Sequence, residues 1–426
     1  MSVPKYPSLE EYYNDMACQA VEECTLCGEC VRNCPVLPLT PIKDQAPEKI
    51  MEKVINFLKD GVFSEEVFYK AYSCASCRTC TDSCPQGIDI LLAFESARIR
   101  LANQGKLPEA VHSMGEIASF GMTLSSLQMK PSEARWLKRA PSQPERTENV
   151  VFIGCNLPQF PHTVFAFLDI LERMGIDYVA LSGGELCCGF PLFPAYGKVR
   201  ESEDKARELV ANLKAFSPER VIILCAGCYH QINELYPKFI DLDFKVQFYS
   251  QFLIEHLDRI KLSRPLEKTV VFHDSCMSRR AGVNESVRSL LESIPSLKVV
   301  KSPTICCGGT PQLTAPEITR KLAPPFVENL AEQTFKNKAD YLVNLCQVCR
   351  MTFYPYIKKY PFGLKDVPSL VNESIGGIEH EDRWEKYGRC ESVDEIIEKS
   401  RNNFEANGLI EGEVRKAVSH FYMMSH

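Results

Sequence analysis

What the chain lacks narrows its class before anything it contains. No apolar run reaches the roughly 18 residues that a membrane-spanning helix needs, so the sequence offers no transmembrane segment of its own. Residues 1–6 carry no apolar core of the kind a secretory signal requires. There is no surplus of basic charge either. A total of 49 Lys and Arg stands against 55 Asp and Glu, and the net charge of −6 gives no reason to expect nucleic acid or an anionic membrane as partner. These absences place the protein in the cytoplasm. Hydrophobic content of 45% and charged content of 24% are ordinary for a globular protein, and 426 residues suffice for two or three domains with cores of their own.

Cysteine is the departure from the ordinary. Disulfide frameworks belong to small secreted domains, so twenty cysteines in a reducing compartment point instead to metal binding or redox chemistry. All but Cys18 and Cys390 fall into regular spacings, and those two read as bystanders.

The first spacing occurs twice in the N-terminal third. Cys24, Cys27, Cys30 and Cys34 are followed by Pro35, and Cys74, Cys77, Cys80 and Cys84 by Pro85. This is the bacterial ferredoxin signature, in which three thiolates of one tight loop hold one [4Fe–4S] cube and the fourth ligates the partner cube. The expected sets are therefore Cys24, Cys27, Cys30 and Cys84 for one cluster and Cys74, Cys77, Cys80 and Cys34 for the other. Structural zinc is the alternative, although it prefers two separated pairs to a run of four. Between the runs, residues 48–59 read as a helix behind Pro47, with Ile50, Val54, Phe57 and Leu58 on one stripe and Gly61 past its end. Helices are also expected over 9–21 and 88–102, with another starting at Ser64. The segment resembles the helical ferredoxin module of multi-subunit reductases.

Residues 131–149 are rich in proline and arginine and read as an exposed connection. Beyond them, apolar runs at 150–153, 221–224, 269–272 and 341–345 each end at or near a cysteine. Each reads as a buried strand whose carboxyl end presents that cysteine, where open α/β sheets carry their sites. Helical patterns alternate with them at 164–174, 201–216, 285–294 and 316–336. The chain then repeats itself after about 120 residues, from Cys155 to Cys276 and from Cys225 to Cys346, which predicts two equivalent sites across a pseudo-twofold axis.

Each half holds five cysteines: Cys155, Cys187, Cys188, Cys225 and Cys228, then Cys276, Cys306, Cys307, Cys346 and Cys349. Adjacent cysteines reach one cluster only if the backbone turns sharply, and Gly189 and Gly308 permit that turn. Five sulfurs exceed what a cube needs. An expanded cluster is one reading, and a cube with a spare cysteine is the other.

The order Cys-x31-Cys-Cys-Gly-x35-Cys-x2-Cys, echoed in the second half, resembles the cysteine-rich CCG domain of heterodisulfide reductase catalytic subunits. The ferredoxin fused before it resembles the form in which two iron–sulfur subunits become one chain. The resemblance covers about residues 10–355. It implies an α+β multidomain fold, an N-terminal α-helical two-cluster ferredoxin module followed by a duplicated α/β CCG pair. The implied divisions are 1–130 for the ferredoxin, 131–149 for the linker, 150–265 and 266–371 for the CCG domains, and 372–426 for a helical extension. It further implies two cubane [4Fe–4S] clusters and two non-cubane ones, the latter held by the two five-cysteine sets as catalytic centres. In that family a disulfide lodges between the non-cubane clusters and each supplies one electron. Expected partners are other subunits of a redox complex, a flavin-containing one among them, and a small thiol or disulfide substrate. The alternative is a non-catalytic relay to a flavin, dehydrogenase or acyl-CoA reductase subunit.

Other residues are weighed against blander roles. His230 and His273 lie near site cysteines and read either as proton donors or as structural imidazoles. Arg279, Arg280 and Arg350 could bind an anionic thiol, balance cluster charge or lie in solvent. After Asn372, Ser392 to Glu395 reads as a capping box, and Val414, Ala417, Val418 and Phe421 mark an amphipathic helix. This tail either packs on its own domain or docks a partner.

Overall fold

The computed structural model describes residues 5–112, 117–139, 141–190, 196–302 and 306–425, with the side chain of Phe421 outside that description. Among these, no helix is long and apolar enough to cross a membrane. Helices Leu9–Glu23, Pro47–Asp60, Glu65–Tyr72 and Ile90–Asn103 build the N-terminal module. Pro47 opens its helix where a missing amide is harmless, and Gly61, at φ +78°, closes it in the left-handed conformation. Ile50, Val54, Phe57 and Leu58 turn inward to meet Val67, Phe94 and Leu101.

Two four-stranded, all-parallel sheets follow. The first contains β1 (Asn149–Gly154), β2 (Val179–Ser182), β3 (Arg220–Ile223) and β4 (Lys245–Phe248) in the order 2-1-3-4. The second contains β5 (Thr269–Phe272), β6 (Lys298–Lys301), β7 (Tyr341–Asn344) and β8 (Gly363–Asp366) in the order 6-5-7-8. The arrangements match strand for strand. In each, the order reverses beside the first strand, and the crevice at that switch point is where open α/β sheets place their ligands. The four strands expected from the sequence are the central ones. The other four flank them at the sheet edges, where charge is tolerated: β6 begins and ends on an exposed lysine.

The halves are tied by two equivalent helix contacts. Helix Pro161–Arg173 of the first half packs on Val367–Ser374 of the second, and Tyr249–Glu255 packs on Asn284–Glu292, with Ser250 and Ser286 hydroxyls 2.7 Å apart. The C-terminal tail covers the second half. Trp384, Ile396, Phe404, Val414 and Val418 join one buried cluster with Phe353 and Ile357, together with Leu124 and Leu127 from helix Ile117–Gln128. Ser392 caps helix Val393–Ala406 by accepting from the Glu395 amide at 3.2 Å. The connection over 131–149 is only partly exposed. Its composition suggests open chain, yet Trp136 is buried and stacks on Phe165 with centroids 5.7 Å apart, while residues 141–146 remain in solvent.

Candidate iron–sulfur sites

The two N-terminal cysteine runs take the same backbone path. Leu26 and Gly28 in the first, and Ser76 and Arg78 in the second, all have positive φ (57°, 73°, 54° and 67°). Three of the four are not glycine, so the fold holds them in a conformation they avoid, as site loops often do. At Gly28 a side chain has no room, since a Cβ would meet the Glu48 nitrogen at 2.8 Å. The turns gather the sulfurs into two groups. Cys24, Cys27, Cys30 and Cys84 line one cavity, with Cys27 exposed at its mouth. Cys34 joins Cys74, Cys77 and Cys80 in the other, close enough for their charges to act on one another. Burial pushes the Cys30 thiol up to about 12 and Cys77 to about 11. Cys34 goes the other way. Burial would raise it, but the Lys70 ammonium and the Val36 and Leu37 amides outweigh that and lower it.

Each five-cysteine set forms at the carboxyl ends of three neighbouring strands. In the first, Cys155 follows β1, the Cys187–Cys188 doublet follows β2, and Cys225 and Cys228 follow β3. Cys155 and Cys187 sulfurs lie 3.8 Å apart, and Cys188 touches both Cys187 and Cys228. The second set repeats this at β5, β6 and β7, with Cys276 against Cys306 and Cys349 against Cys307 and Cys346. The doublet turns are alike to the degree. Gly189 and Gly308 both have φ +74°, and their amides donate to Cys187 Sγ and Cys306 Sγ at 3.4 Å in each case. Gly154 is also required, since a Cβ there would approach Cys228 Sγ to 3.2 Å.

The four groups are not scattered. Cys225 Sγ reaches Gln347 Oε1 at 3.5 Å across the boundary between the halves. A cavity there is lined by Leu224 and Tyr249 on one side and by Asn344, Cys346, Gln347 and Arg350 on the other. Cys34 and Cys306 pack on one small apolar seam formed by Val36, Ala75, Ala315, Ile318 and Leu322. Across that seam, Cys77 is near enough to help raise the Cys306 thiol, after hydrogen bonding to Cys276 and burial.

The three arginines are all spoken for by carboxylates. Arg279 pairs with Asp82 at 2.6 Å, and Arg280 forks onto buried Glu95 at 2.7 and 3.0 Å, so both join the second half to the ferredoxin module. Arg350 pairs with Asp382 of the tail, and Tyr354 donates to the same carboxylate at 2.8 Å. His162 lies behind this pair, 3.4 Å from Asp366 and 3.7 Å from Asp382. Sequence reasoning missed this network, because its members come from four separate segments. Burial pushes His273 down to about 4, where its ring sits against Phe353. His230 falls to about 2 through burial and the nearby Arg280 and Arg78. In both, burial favours the neutral imidazole. Cys390 is buried within the tail, in the same apolar cluster as Cys307 and Cys349, and Cys18 is exposed.

The donor chemistry fits iron–sulfur clusters. Contact with a neighbouring cysteine and then burial push the Cys188, Cys228, Cys306 and Cys349 thiols well up, so the crowded sulfurs cannot all ionise unless a cationic centre takes their charge.

Known families agree with this chemistry. Residues 20–88 match the 4Fe-4S dicluster domain, and residues 150–233 and 270–354 match the cysteine-rich domain CCG. The chain is 27% identical over 411 residues to a subunit of the dihydromethanophenazine:CoB–CoM heterodisulfide reductase of Methanosarcina acetivorans, covering 87% of this chain and 98% of that one. It is 26% identical over 358 residues to a subunit of the fumarate reductase (CoM/CoB) of Methanothermobacter marburgensis, covering 81% and 69%. It is 30% identical over 207 residues to lactate utilization protein A of Oceanobacillus iheyensis, covering 45% and 79%. With its dicluster ferredoxin module and two CCG domains, the chain is an iron–sulfur electron-transfer subunit related to those of heterodisulfide reductase and fumarate reductase (CoM/CoB).

Proposed function

We propose that the chain holds four [4Fe–4S] clusters and acts in the cytoplasm as the iron–sulfur subunit of a multi-subunit oxidoreductase that reduces a disulfide. Two cubane clusters would be held by Cys24, Cys27, Cys30 and Cys84 and by Cys34, Cys74, Cys77 and Cys80. Two non-cubane clusters would be held by Cys155, Cys187, Cys188, Cys225 and Cys228 and by Cys276, Cys306, Cys307, Cys346 and Cys349. When bound, such clusters exchange electrons singly, and two of them side by side match the two-electron demand of an S–S bond. The chain's own residues supply the arrangement. Exposed Cys27 gives the first group a face toward a donor protein, for which a flavin-containing partner is the expected type. The apolar seam around Ala75 and Ala315 keeps water from between the second group and the CCG pair. Gly189 and Gly308 let both sulfurs of each doublet turn toward one site.

The single observation that carries this reading is the facing of the two five-cysteine sets across the boundary, with Cys225 against Gln347 and Cys346 lining the same cavity. The test is anaerobically prepared full chain, supplied with reduced viologen and a small thiol disulfide. Turnover with about sixteen irons per chain, four per cluster, is the expected result. A second reading, a relay to a partner flavin, dehydrogenase or acyl-CoA reductase subunit, takes support from the similarity to a subunit of fumarate reductase (CoM/CoB), an enzyme named for a different acceptor. Full iron content without turnover on any disulfide would support the relay, and fewer than about twelve irons would defeat both readings.

A further inference from the structure

Cys225 and Cys346 occupy matching places in the two halves. Each stands just before a helix that follows its strand, with φ −94° and ψ 123° at Cys225 and φ −96° and ψ 125° at Cys346. The backbone is therefore the same, and the next side chain is not. Ala226 follows Cys225, whereas Gln347 follows Cys346. Gln347 opens helix Gln347–Ile357, is only 8% exposed, and reaches across the boundary to set its carboxamide oxygen 3.5 Å from Cys225 Sγ. Alanine has no polar atom with which to reach back. This contact runs one way only, from the second half to a site cysteine of the first.

As a thiol, Cys225 donates to Gln347 Oε1. As a cluster ligand it is a thiolate, has no proton to give and can only accept. The carboxamide carries an acceptor at one end and an NH2 donor at the other. A half-turn brings Nε2 to the sulfur and gives up one long contact, 3.4 Å, to the Leu345 carbonyl. Hydrogen bonds to sulfur help set cluster potentials, because an N–H beside the ligand stabilises the added negative charge of the reduced form. In a buried place this donor meets little competition from water.

We propose that Gln347 is a positioning residue of the second half that donates to Cys225 and raises the reduction potential of the first-half cluster. This rests on the four-cluster reading above and adds a direction to it. The second-half set adjoins the ferredoxin module through the Cys34–Cys306 seam, so the donor favours the onward step to the first-half set.

The experiment is a redox titration of the anaerobically prepared full-length holoprotein, followed by electron paramagnetic resonance. Gln347→Met and Gln347→Leu remove the donor while keeping much of the volume. Cys225→Ser and Cys187→Ser identify the first-half couple by shifting its signal or abolishing it. That couple is expected to fall in potential in both Gln347 variants. At the parent midpoint its oxidised-to-reduced ratio should rise about tenfold, which is about 59 mV for a one-electron couple. The other couples and the iron content keep their parent values, a selectivity that a merely structural role would not give. An unmoved first-half couple, or a shift of the second-half couple in its place, would overturn the proposal. Gln347 variants that assemble about four irons fewer would overturn it too, in favour of a role in assembly. A parent protein without two non-cubane couples would instead defeat the four-cluster reading on which it stands.

Discussion

In the first half of the CCG pair, the five cysteines lie at that half's strand ends, with Gln347 of the second half against Cys225 and helix Ile117–Gln128 beside Cys155. In the second half the same five positions carry the same strand order and the same doublet turn, with different neighbours. The ferredoxin module reaches them through the Cys34–Cys306 seam and the Glu95–Arg280 pair, and the C-terminal tail covers their helix Gln347–Ile357. What the duplication preserves is local: the strand end, the glycine at φ +74° and the amide-to-sulfur contact. What it does not preserve is the neighbourhood. Two equivalent sites thus become a near and a far one relative to the ferredoxin module.

The largest test of this asymmetry is Glu95→Gln. Glu95 and Arg280 are fully buried and paired, and Tyr13 also donates to Glu95 at 3.1 Å. Neutralising one partner strands the other, so denaturant unfolding should show a loss of about 3–5 kcal/mol. Next come the twin substitutions Gly189→Ala and Gly308→Ala. Each forces a side chain into left-handed backbone, and a Cβ would lie 2.8 Å from Ser202 Oγ or 2.9 Å from Ala323 Cα. Both should lose about 2–4 kcal/mol and part of the iron. Similar losses in the two variants would support the shared turn, and a loss in only one would break it.

A smaller effect follows from pH. Burial would raise the Asp382 carboxyl, but Arg350 and His162 outweigh it and hold it down to about 2. A depressed carboxyl contributes stability above its unfolded value near 4 and loses it as pH falls toward 2. Asp382→Asn should therefore remove about 2 kcal/mol at pH 7 and flatten the acid limb of the stability curve, by thermal unfolding between about pH 2 and pH 5. The smallest effect is Asp82→Asn. Its pair with Arg279 bridges the same two regions as Glu95 does, but half in solvent, so about 0–1 kcal/mol is expected. A loss as large as that of Glu95→Gln would show that location at the junction, rather than burial, sets the cost.

Much of this architecture can be read from residues in a row. The ferredoxin runs and the doublets are legible because a turn is a local event, written in spacings of two or three and in one glycine. The central strands are legible because burial on both faces leaves runs such as Val150 to Ile153 wholly apolar. Edge strands are not, since Lys298–Lys301 and Gly363–Asp366 meet a neighbour on one side only and tolerate charge. Lys70 is likewise hidden: a lysine on a short helix reads as a surface residue until the fold closes around it. Arg350, Asp382, His162 and Asp366 meet from distant segments, and no spacing announces a contact of that kind.

The reciprocal helix contacts between the halves have a consequence for dissection. Val164, Phe167 and Ile170 share one continuous apolar interior with Val367, Leu370 and Val371, and Tyr249 and Phe252 do so with Val287 and Leu290. Severing the polypeptide near residue 265 would lay bare both of these faces at once. Neither fragment would be a free-standing unit, and each would be expected to precipitate or to find the other again. Gene duplication made the halves alike, and the clasp between them now makes each half the other's solvent shield.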